Sequence, residues 1–148
     1  MYLATPTVTA KNDYTVEQGR SVKITWNSIP GAKSYRVYRK ASTDTTWSVL
    51  AEAYADKVYY DKTAESGIKY YYTVKAQNGA YQSAYTSTPL ITVLGTPILQ
   101  DAILTDAGVK ITWDAVGGAT SYIVFRRTLT GAWETLGTAT TAEYIDAS

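Results

Sequence analysis

The residues of this chain that could do chemistry are carboxylates and tyrosines, because the 148-residue sequence contains no cysteine and no histidine. That composition excludes thiolate nucleophiles, Ser-His-Asp triads and most zinc sites. Acid–base catalysis by carboxylates alone needs two of them at a defined distance in a cleft. Asp101, Asp106 and Asp114 are scattered, without the alternating ligands of a calcium loop. The sequence therefore predicts no enzyme, no metal site and no cofactor.

Two aspartates occupy matching places in the sequence. Asp61 follows Tyr60, and Asp146 follows Ile145, in both cases where a predicted strand gives way to a turn. An aspartate at such a position readily accepts hydrogen bonds from backbone amides. We therefore expect both carboxylates to be structural.

The other candidate for chemistry is the tyrosine-rich stretch SGIKYYYTVKAQNG, from Ser66 to Gly79. Three consecutive tyrosines, Tyr70 to Tyr72, precede an alternation of polar and apolar residues. Such aromatic side chains either form a binding surface or fill the interior of a β-protein. The two roles are distinguished by the side of the sheet on which each tyrosine side chain lies, and this depends on the strand assignment.

The sequence contains a tandem repeat. VKITWNSIPGAKSYRVYRKASTDTTW begins at Val22, and VKITWDAVGGATSYIVFRRTLTGAW begins at Val109, an offset of 87 that also relates Trp26 to Trp113. Self-similarity at a fixed offset indicates repeated structural units. We predict one unit over residues 1–94 and a second over 95–148, with the boundary near Leu94-Gly95.

Within each unit the apolar residues alternate with a period of two. Val22, Ile24 and Trp26 fall on one face of a strand, and turn signals such as Pro30-Gly31 and Ser66-Gly67 separate short β-branched or aromatic runs. No window has a convincing helical stripe. The best helical candidate, VLAEAYADKVY, is short and equally fits a loose connection between strands. The chain is therefore predicted to be all-β.

Charge and hydropathy narrow the range of partners. The chain contains 14 lysines and arginines and 13 aspartates and glutamates, so its net charge is +1. We expect no nucleic-acid partner, because a chain with so small a net charge lacks the positive electrostatic field that attracts phosphate groups. No apolar stretch of about 18 residues occurs, so no membrane insertion is expected. The start, MYLATPTVTAK, has no leader pattern, which predicts that any export signal was removed or lies outside this chain.

The tryptophan of VKITW, the SYRVYRK strand and the GIKYYYTVKAQNG stretch, in this order, resemble a fibronectin type III domain of the kind found in tandem in large exported bacterial proteins. The resemblance covers residues 1–94 and, in the second unit, only the first half. It implies an immunoglobulin-like β-sandwich of seven strands in two sheets, with Trp26 inside on the second strand. The expected fold is one complete repeat and one partial repeat of five strands. The expected localisation is extracellular or cell-surface.

The resemblance also assigns sides to the tyrosine stretch. Tyr70 becomes a tyrosine corner whose hydroxyl bonds to the backbone, with alternate residues inward (Tyr70, Tyr72, Val74, Ala76) and outward (Tyr71, Thr73, Lys75). In this fold the sixth strand pairs with the third, which places the outward residues beside Arg36, Tyr38 and Lys40. The face containing Arg36, Tyr38, Tyr71 and Lys75 is a candidate platform for a sugar ring or a neighbouring domain.

An ordinary exposed sheet carries similar residues, because aromatic and β-branched cross-strand pairs stabilise it by roughly 0.2–1 kcal/mol each. The equivalent outward positions of the second unit are Ile123 and Phe125, so the face is not chemically preserved between the repeats. A local contact is therefore favoured over a shared ligand.

The second unit has no counterpart of the tyrosine stretch, and we expect Trp113, Tyr122 and Val124 to lose much of their cover. Three accounts remain open. The chain is a fragment of a longer protein with more repeats, or another chain supplies the missing strands, or the half-domain packs against the first unit.

Three functions are compatible with these features. The favoured one is a non-catalytic spacer or interaction module of an exported or cell-surface multidomain protein, whose partners are neighbouring domains or copies of the same protein. The alternatives are a carbohydrate-binding module with a glycan partner, and a subunit of a filament or assembly in which a neighbouring chain completes the second domain.

Overall fold

The computed structural model describes residues 2–15, 17–85 and 87–148, and the regular elements in these ranges are all strands. The chain splits into two compact units, Met1–Val93 and Leu94–Ser148. The predicted all-β fold is confirmed. No helix long and apolar enough to cross a membrane occurs in the described ranges.

The first unit forms eight strands within its described residues. They are β1 (Val8–Thr15), β2 (Gly19–Trp26), β3 (Ser34–Ala41), β4 (Ser48–Tyr54), β5 (Val58–Asp61), β6 (Lys69–Asn78), β7 (Tyr81–Gln82) and β8 (Leu90–Thr92). The segment VLAEAYADKVY, whose pattern fits both a short helix and a loose connection between strands, contributes residues to β4 and β5.

These strands make two antiparallel sheets. One has the order β1-β2-β5, and the other has the order β4-β3-β6-β7, with β8 also paired to β6. The expected seventh strand is thus divided into β7 and β8, which pair with opposite ends of β6. Between them Ser83 Oγ accepts a hydrogen bond from the Ala76 amide (2.9 Å), and the Pro89 carbonyl accepts one from the Tyr72 amide (3.1 Å).

The alternation along the strands builds one core between the two sheets. Its buried residues come mainly from β2 (Val22, Ile24, Trp26), β3 (Tyr35, Val37) and β6 (Tyr70, Tyr72, Val74, Ala76). Fully burying a large apolar side chain stabilises a fold by about 1.5–3 kcal/mol, so these three strands dominate the energetics of the first unit. The predicted inward residues of β2, β3 and β6 are confirmed.

The second unit forms five strands: β9 (Ile103–Thr105), β10 (Gly108–Thr112), β11 (Tyr122–Arg126), β12 (Glu134–Ala139) and β13 (Glu143–Asp146), all within described residues. Its sheets are β13-β10-β9 and β11-β12. An isolated bridge joins Leu99 to Trp113.

The core of the second unit is small. Its buried members are Trp113, Val124 and Ala139, with Ile111 and Tyr122 among the partly buried residues packed against them. The expectation that Trp113 and Val124 lose much of their cover is therefore wrong, whereas Tyr122 is only partly buried. Trp113 keeps its cover because the Tyr122 ring packs edge-on against it, with ring centroids 5.2 Å apart.

Candidate functional site

The register of β3 and β6 brings together the four candidate residues of the first unit. Arg36 lies opposite Lys75, and Tyr71 lies opposite Lys40. Tyr38 is the residue between these two pairs on the same face. The predicted pairing of the third and sixth strands is confirmed.

Cations lie over the two aromatic rings of this face. Lys75 Nζ is 5.8 Å from the Tyr38 ring centroid, and the Arg36 guanidinium is 5.6 Å from the same centroid. Lys40 Nζ is 5.6 Å from the Tyr71 centroid. Contacts of this length are within the range of cation–π attraction, which stabilises exposed sites by roughly 0.5–1 kcal/mol. The cations and aromatic rings of this face therefore contact one another.

Two further aromatic residues, not predicted from the sequence, complete a cleft on this face. Trp47 and Tyr85 have ring centroids 5.7 Å apart, and Trp47 Nε1 donates a hydrogen bond to the Tyr85 hydroxyl (3.1 Å). Lys40 Nζ is 5.2 Å from the Trp47 ring, and Lys75 Nζ is 5.5 Å from the Tyr85 ring. The cleft has a volume of about 480 Å³ and is lined by Lys40, Ser42, Trp47, Tyr71, Tyr85 and Thr88.

A sequence signal existed for Trp47 but not for Tyr85. Trp47 ends the first repeated stretch as Trp133 ends the second, and the Arg127 guanidinium lies 4.9 Å from the Trp133 ring. A cation–tryptophan contact therefore recurs at the same place in both units. Tyr85 belongs to the segment between β7 and β8, whose path over the sheet no local pattern specifies.

Thr73 departs from its predicted outward exposure. Its position on β6 is the expected one, opposite Tyr38, but the side chain is buried. The Thr73 hydroxyl donates a hydrogen bond to the Ser87 carbonyl (2.9 Å), so Ser87 lies over this side chain. Thr73 is thus a support beneath the cleft rather than part of its surface.

Ile123 and Phe125, the other two candidate residues, lie on β11 of the second unit. Both side chains are exposed, at 61% and 50%. They line a groove of about 330 Å³ together with Trp113 and Trp133. This groove is apolar, unlike the cation-rich cleft of the first unit.

A buried carboxylate joins three elements of the first unit. Asp61 Oδ2 accepts hydrogen bonds from the Arg39 guanidinium (2.7 Å) and the Tyr72 hydroxyl (2.8 Å). Asp61 Oδ1 accepts from the Thr63 amide (2.9 Å) and hydroxyl (2.8 Å). The predicted backbone contact of Asp61 is confirmed, whereas its contacts with Arg39 and Tyr72 were not predicted.

The protonation states of this group follow from its contacts. Burial raises the pKa of Asp61, but hydrogen bonds from Thr63, Tyr72 and Arg39 outweigh it and hold the pKa below its ordinary value. Burial and the Asp61 charge raise the pKa of Tyr72 far above that of free tyrosine. Both shifts move the pKa values away from neutrality, the range that best suits general acid–base catalysis. The cluster is a structural lock.

The second unit repeats part of this lock. Asp146 Oδ2 accepts from the Arg126 guanidinium (2.8 Å), and its Oδ1 accepts from the Ser148 amide (3.1 Å) and hydroxyl (2.7 Å). The hydrogen bonds from Ser148, opposed by burial and aided by Arg126, hold the pKa of Asp146 below its ordinary value. The predicted backbone contact of Asp146 is confirmed as well.

The tyrosine corner expected at Tyr70 is not formed among the described residues. The Tyr70 ring is buried, but its hydroxyl has no hydrogen-bond partner there, and the Arg39 guanidinium lies 4.6 Å from the ring centroid. The buried hydroxyl contact is made instead by Tyr72, to the Asp61 side chain. Tyr72 is better placed because its side chain is fully enclosed between the sheets.

The described residues contain no group of three or more carboxylate, histidine or cysteine side chains that could hold a metal ion. The arrangement offers two surfaces for contact, the cleft of the first unit and the groove of the second.

Comparison with known proteins supports the fold. No protein-family model matches the chain, and no curated protein matches it. Among solved structures, it is similar to an Fn3-like protein from Clostridium thermocellum, with 26% sequence identity and a TM-score of 0.50. The match covers 61% of this chain and 92% of that one. Together with the two-sheet topology of the first unit, this similarity shows that the chain has a fibronectin type III-like fold.

Proposed function

We propose that the chain is a non-catalytic spacer and interaction module of an exported or cell-surface multidomain protein, with neighbouring domains or copies of the same protein as partners. Fibronectin type III-like sandwiches are common in cell-surface proteins, which supports such a role. Because a fold alone does not specify a function, the proposal depends on the path of the chain through the first unit.

The single observation that carries the spacer role is that β1 and β8 run side by side in the same direction. The Ser87 hydroxyl accepts a hydrogen bond from the Val8 amide (2.9 Å) and donates one to the Val8 carbonyl (3.0 Å). Further along both segments, Asn12 Nδ2 donates to the Thr92 carbonyl (2.8 Å). The polypeptide therefore enters the first unit at one pole and leaves it at the other.

A unit with its ends at opposite poles separates the segments attached to it. The eight residues of β1 alone span about 26 Å at roughly 3.3 Å per residue. Tension between the two ends pulls β1 along its own axis, so the eight residue pairs between β1 and β2 bear the load together. This geometry suits a spacer that must stay folded while holding its neighbours apart.

Single-molecule force spectroscopy tests this role on the full chain. Since the protein has no cysteine, pulling handles can be placed at Tyr2→Cys, near the start of the first unit, and at Leu94→Cys, the residue directly after its end; both side chains are exposed. We expect one cooperative unfolding event with a contour-length gain of about 300 Å for the extended chain.

The control pair changes the direction of the load and also shortens the stretch of chain between the handles. Handles at Tyr2→Cys and Ala80→Cys lie at the same pole, because Ala80 is in the exposed turn between β6 and β7. Pulling there peels the strands apart one pair at a time, and unfolding should need less force. Equal forces for the two handle pairs would show that the first unit is not built to bear load end to end.

A carbohydrate-binding role is the second candidate, and the cleft at Trp47 favours it. Three aromatic rings (Trp47, Tyr71, Tyr85) surround a volume within the range of small-ligand sites. Lys40 lies over two of these rings and makes no ion pair with a described residue. A sugar that carries a carboxylate could stack on the rings and pair with that cation.

Calorimetric titration with acidic and neutral polysaccharides tests the second candidate. If it holds, acidic polymers bind, neutral ones bind weakly, and Trp47→Ala abolishes binding. Trp133→Ala is the matched control, because Trp133 occupies the equivalent place in the second unit without a Tyr85 counterpart. Absence of binding to both polymer classes, or equal losses in the two variants, would eliminate the cleft as a glycan site.

A further inference from the structure

A second cleft of the first unit lies where β4 leads into β5, and it shares no lining residue with the cleft at Trp47. Its volume is about 490 Å³, and it is lined by Gln18, Tyr54, Asp56, Val58, Tyr59 and Tyr60. Gln18 comes from the turn between β1 and β2, whereas the other five residues belong to β4, β5 and the turn that joins them. We call it the tyrosine cleft, because three of its six side chains are tyrosines.

Two of the three rings meet nearly at a right angle. Tyr54 and Tyr59 have ring centroids 5.4 Å apart and ring planes at 79° to each other. The Tyr54 hydroxyl donates a hydrogen bond to the Val58 carbonyl (3.0 Å), and the Tyr59 hydroxyl donates one to the Leu50 carbonyl (3.4 Å). Because a phenol has a single proton to donate, these two hydroxyls offer a ligand only their oxygen lone pairs. The ring faces are electron-rich as well.

Asp56 adds a full negative charge to the tyrosine cleft. Its Oδ1 accepts a hydrogen bond from the Lys57 amide (2.7 Å), but the carboxylate makes no ion pair with a described residue. Burial raises the pKa of Tyr54, and the Asp56 charge raises it further, so this charge acts on the ring beside it. The described lining residues include no lysine or arginine. An unpaired carboxylate beside electron-rich rings favours a positively charged ligand.

The third ring already contacts an ammonium group of the chain itself. Lys23 Nζ is 5.6 Å from the Tyr60 ring centroid, and the two residues are opposite each other in the β2–β5 pair. Lys23 alternates with the inward Val22 and Ile24, so it approaches Tyr60 on the outer face of the sheet. The distance is within the range of cation–π attraction. A ring of the tyrosine cleft is therefore suited to contact with an alkylammonium group.

We propose that the tyrosine cleft binds an alkylammonium group, whose apolar surface contacts the three tyrosine rings and whose charge pairs with Asp56. Aromatic rings and carboxylates are the side-chain groups that attract such cations most strongly. The cleft at Trp47 has the opposite chemistry, because Lys40 supplies a positive charge there. The proposal is independent of the spacer role and of the glycan candidate.

An NMR titration of the isotope-labelled full chain with choline tests the proposal, since choline carries a quaternary ammonium group. We expect saturable chemical-shift changes at residues 54–60. The indole N–H signals of Trp47 and Trp133 are internal controls, because neither side chain lines the tyrosine cleft. Both signals should stay in place.

The matched probe is the neutral carbon analogue of choline, in which a carbon atom replaces the charged nitrogen. It has the shape and the apolar surface of choline but no charge, so it should bind at least about tenfold more weakly.

A lysine derivative with both backbone ends blocked distinguishes the source of the ammonium group. Binding of choline alone would identify a free small amine as the ligand, and tighter binding of the lysine derivative would identify a lysine side chain of a partner protein.

Two charge variants test the counter-ion. Asp56→Asn keeps the shape of the side chain and removes its charge, so it should weaken choline binding about tenfold at low salt. Asp44→Asn is the matched control, because Asp44 is also exposed and lies at the other end of β4. It removes the same charge from the chain and should leave the affinity unchanged. Tyr60→Leu removes a ring, keeps an apolar side chain and should also weaken binding.

Three results would overturn the proposal. Equal affinities of choline and its neutral analogue would show that the cleft selects shape and not charge. Equal losses in Asp56→Asn and Asp44→Asn would show an effect of net charge alone. Absence of saturable changes at residues 54–60, or changes centred on Trp47 or Trp133, would show that the tyrosine cleft does not hold the ammonium group.

Discussion

The two units make the same aromatic contact between a buried tryptophan and a tyrosine, but Tyr35 is buried and Tyr122 is only partly buried. Trp26 packs edge-on against Tyr35 with ring centroids 5.6 Å apart, and Trp113 packs against Tyr122 at 5.2 Å. The tyrosine hydroxyl accepts a hydrogen bond from a backbone amide six residues earlier in both units, at 3.0 Å and 2.9 Å. This contact depends only on residues within one repeated stretch, so it forms wherever that stretch is present.

The arginine–aspartate pair is also repeated, but it is enclosed to different degrees. The Arg39–Asp61 distance is 2.7 Å and the Arg126–Asp146 distance is 2.8 Å, whereas the arginine side chains are 19% and 40% exposed. The difference follows from β6, which supplies Tyr72 to the first pair. Contacts local to the repeat set the geometry, and the sixth strand supplies the burial.

The same difference extends to the apolar residues of the second strand of each unit. Val22 is fully buried, while its counterpart Val109 is 38% exposed. Since burial of apolar area contributes roughly 25 cal/mol per Å², the first unit should carry most of the stability of the chain. Matched substitutions in the two units measure that division.

The largest expected effect is truncation of the central tryptophan. Trp26→Ala should destabilise the first unit by about 3–5 kcal/mol, because it removes a large buried ring and leaves a cavity. Urea denaturation monitored by circular dichroism measures the loss. A midpoint equal to that of the unmodified chain would remove Trp26 from the core and break the alignment between the units.

The next effect is loss of the buried carboxylate. Asp61→Ala should cost about 2–4 kcal/mol, somewhat below the full value for breaking a wholly buried pair, since Arg39 keeps partial access to water. Asp146→Ala is the matched variant in the second unit and should have a smaller effect. If the two losses are equal, enclosure by β6 does not strengthen the pair.

The sequence predicted the features that depend on alternation and on the repeat. The inward residues Val22, Ile24 and Trp26, and the pairing of the third strand with the sixth, follow from period-two patterning and the order of the motifs. Asp61 and Asp146 were placed correctly at strand ends. Local pattern sufficed because each of these features is a property of one strand or one turn.

The features that were missed depend on side chains from distant segments. Tyr85 reaches the cleft and Ser87 covers Thr73, and both residues lie between β7 and β8, outside the strands that the pattern predicts. The choice of Tyr72 over Tyr70 for the buried hydroxyl depends on where Asp61 lies in the opposite sheet. Repetition of Arg39 as Arg126, together with the matching places of Asp61 and Asp146, was the signal in the sequence for this lock.

The third prediction separates the two core tyrosines. Tyr72→Phe should destabilise the first unit by about 1–3 kcal/mol, because it removes a hydrogen bond to a buried carboxylate. Tyr70→Phe should change the stability by less than about 0.5 kcal/mol, since its hydroxyl has no partner among the described residues. Thermal denaturation of the two variants gives the order, and the reverse order would restore Tyr70 as the tyrosine corner.

The fourth prediction concerns pH. The native pKa of Asp61 is lowered, so its contribution to stability is complete above about pH 4 and is lost as the pH falls through the native pKa. The native pKa of Tyr72 is raised, so its contribution is complete below about pH 10 and is lost as the pH rises further.

Denaturation midpoints measured from acid to alkaline pH check both limits. Tyr72→Phe should reduce the alkaline loss and leave an acid loss that depends on Asp61. A flat profile at alkaline pH in the unmodified chain would show that the Tyr72 hydroxyl is open to water in the native state.

The smallest effect is expected at the surface of the second unit, where Lys110 Nζ and Glu143 Oε2 are 2.8 Å apart between β10 and β13. Both side chains are exposed enough for water and salt to screen the pair, so Lys110→Ala should change the stability by less than about 0.5 kcal/mol. Denaturation of the variant at low and high salt measures this, with Glu143→Gln as the matched change in its partner. A loss above about 1 kcal/mol, outside the usual range for exposed pairs, would mean that the second unit depends on its surface charges because its core is small. In that case the division of stability between the units would rest on different kinds of contact, and not only on the amount of buried surface.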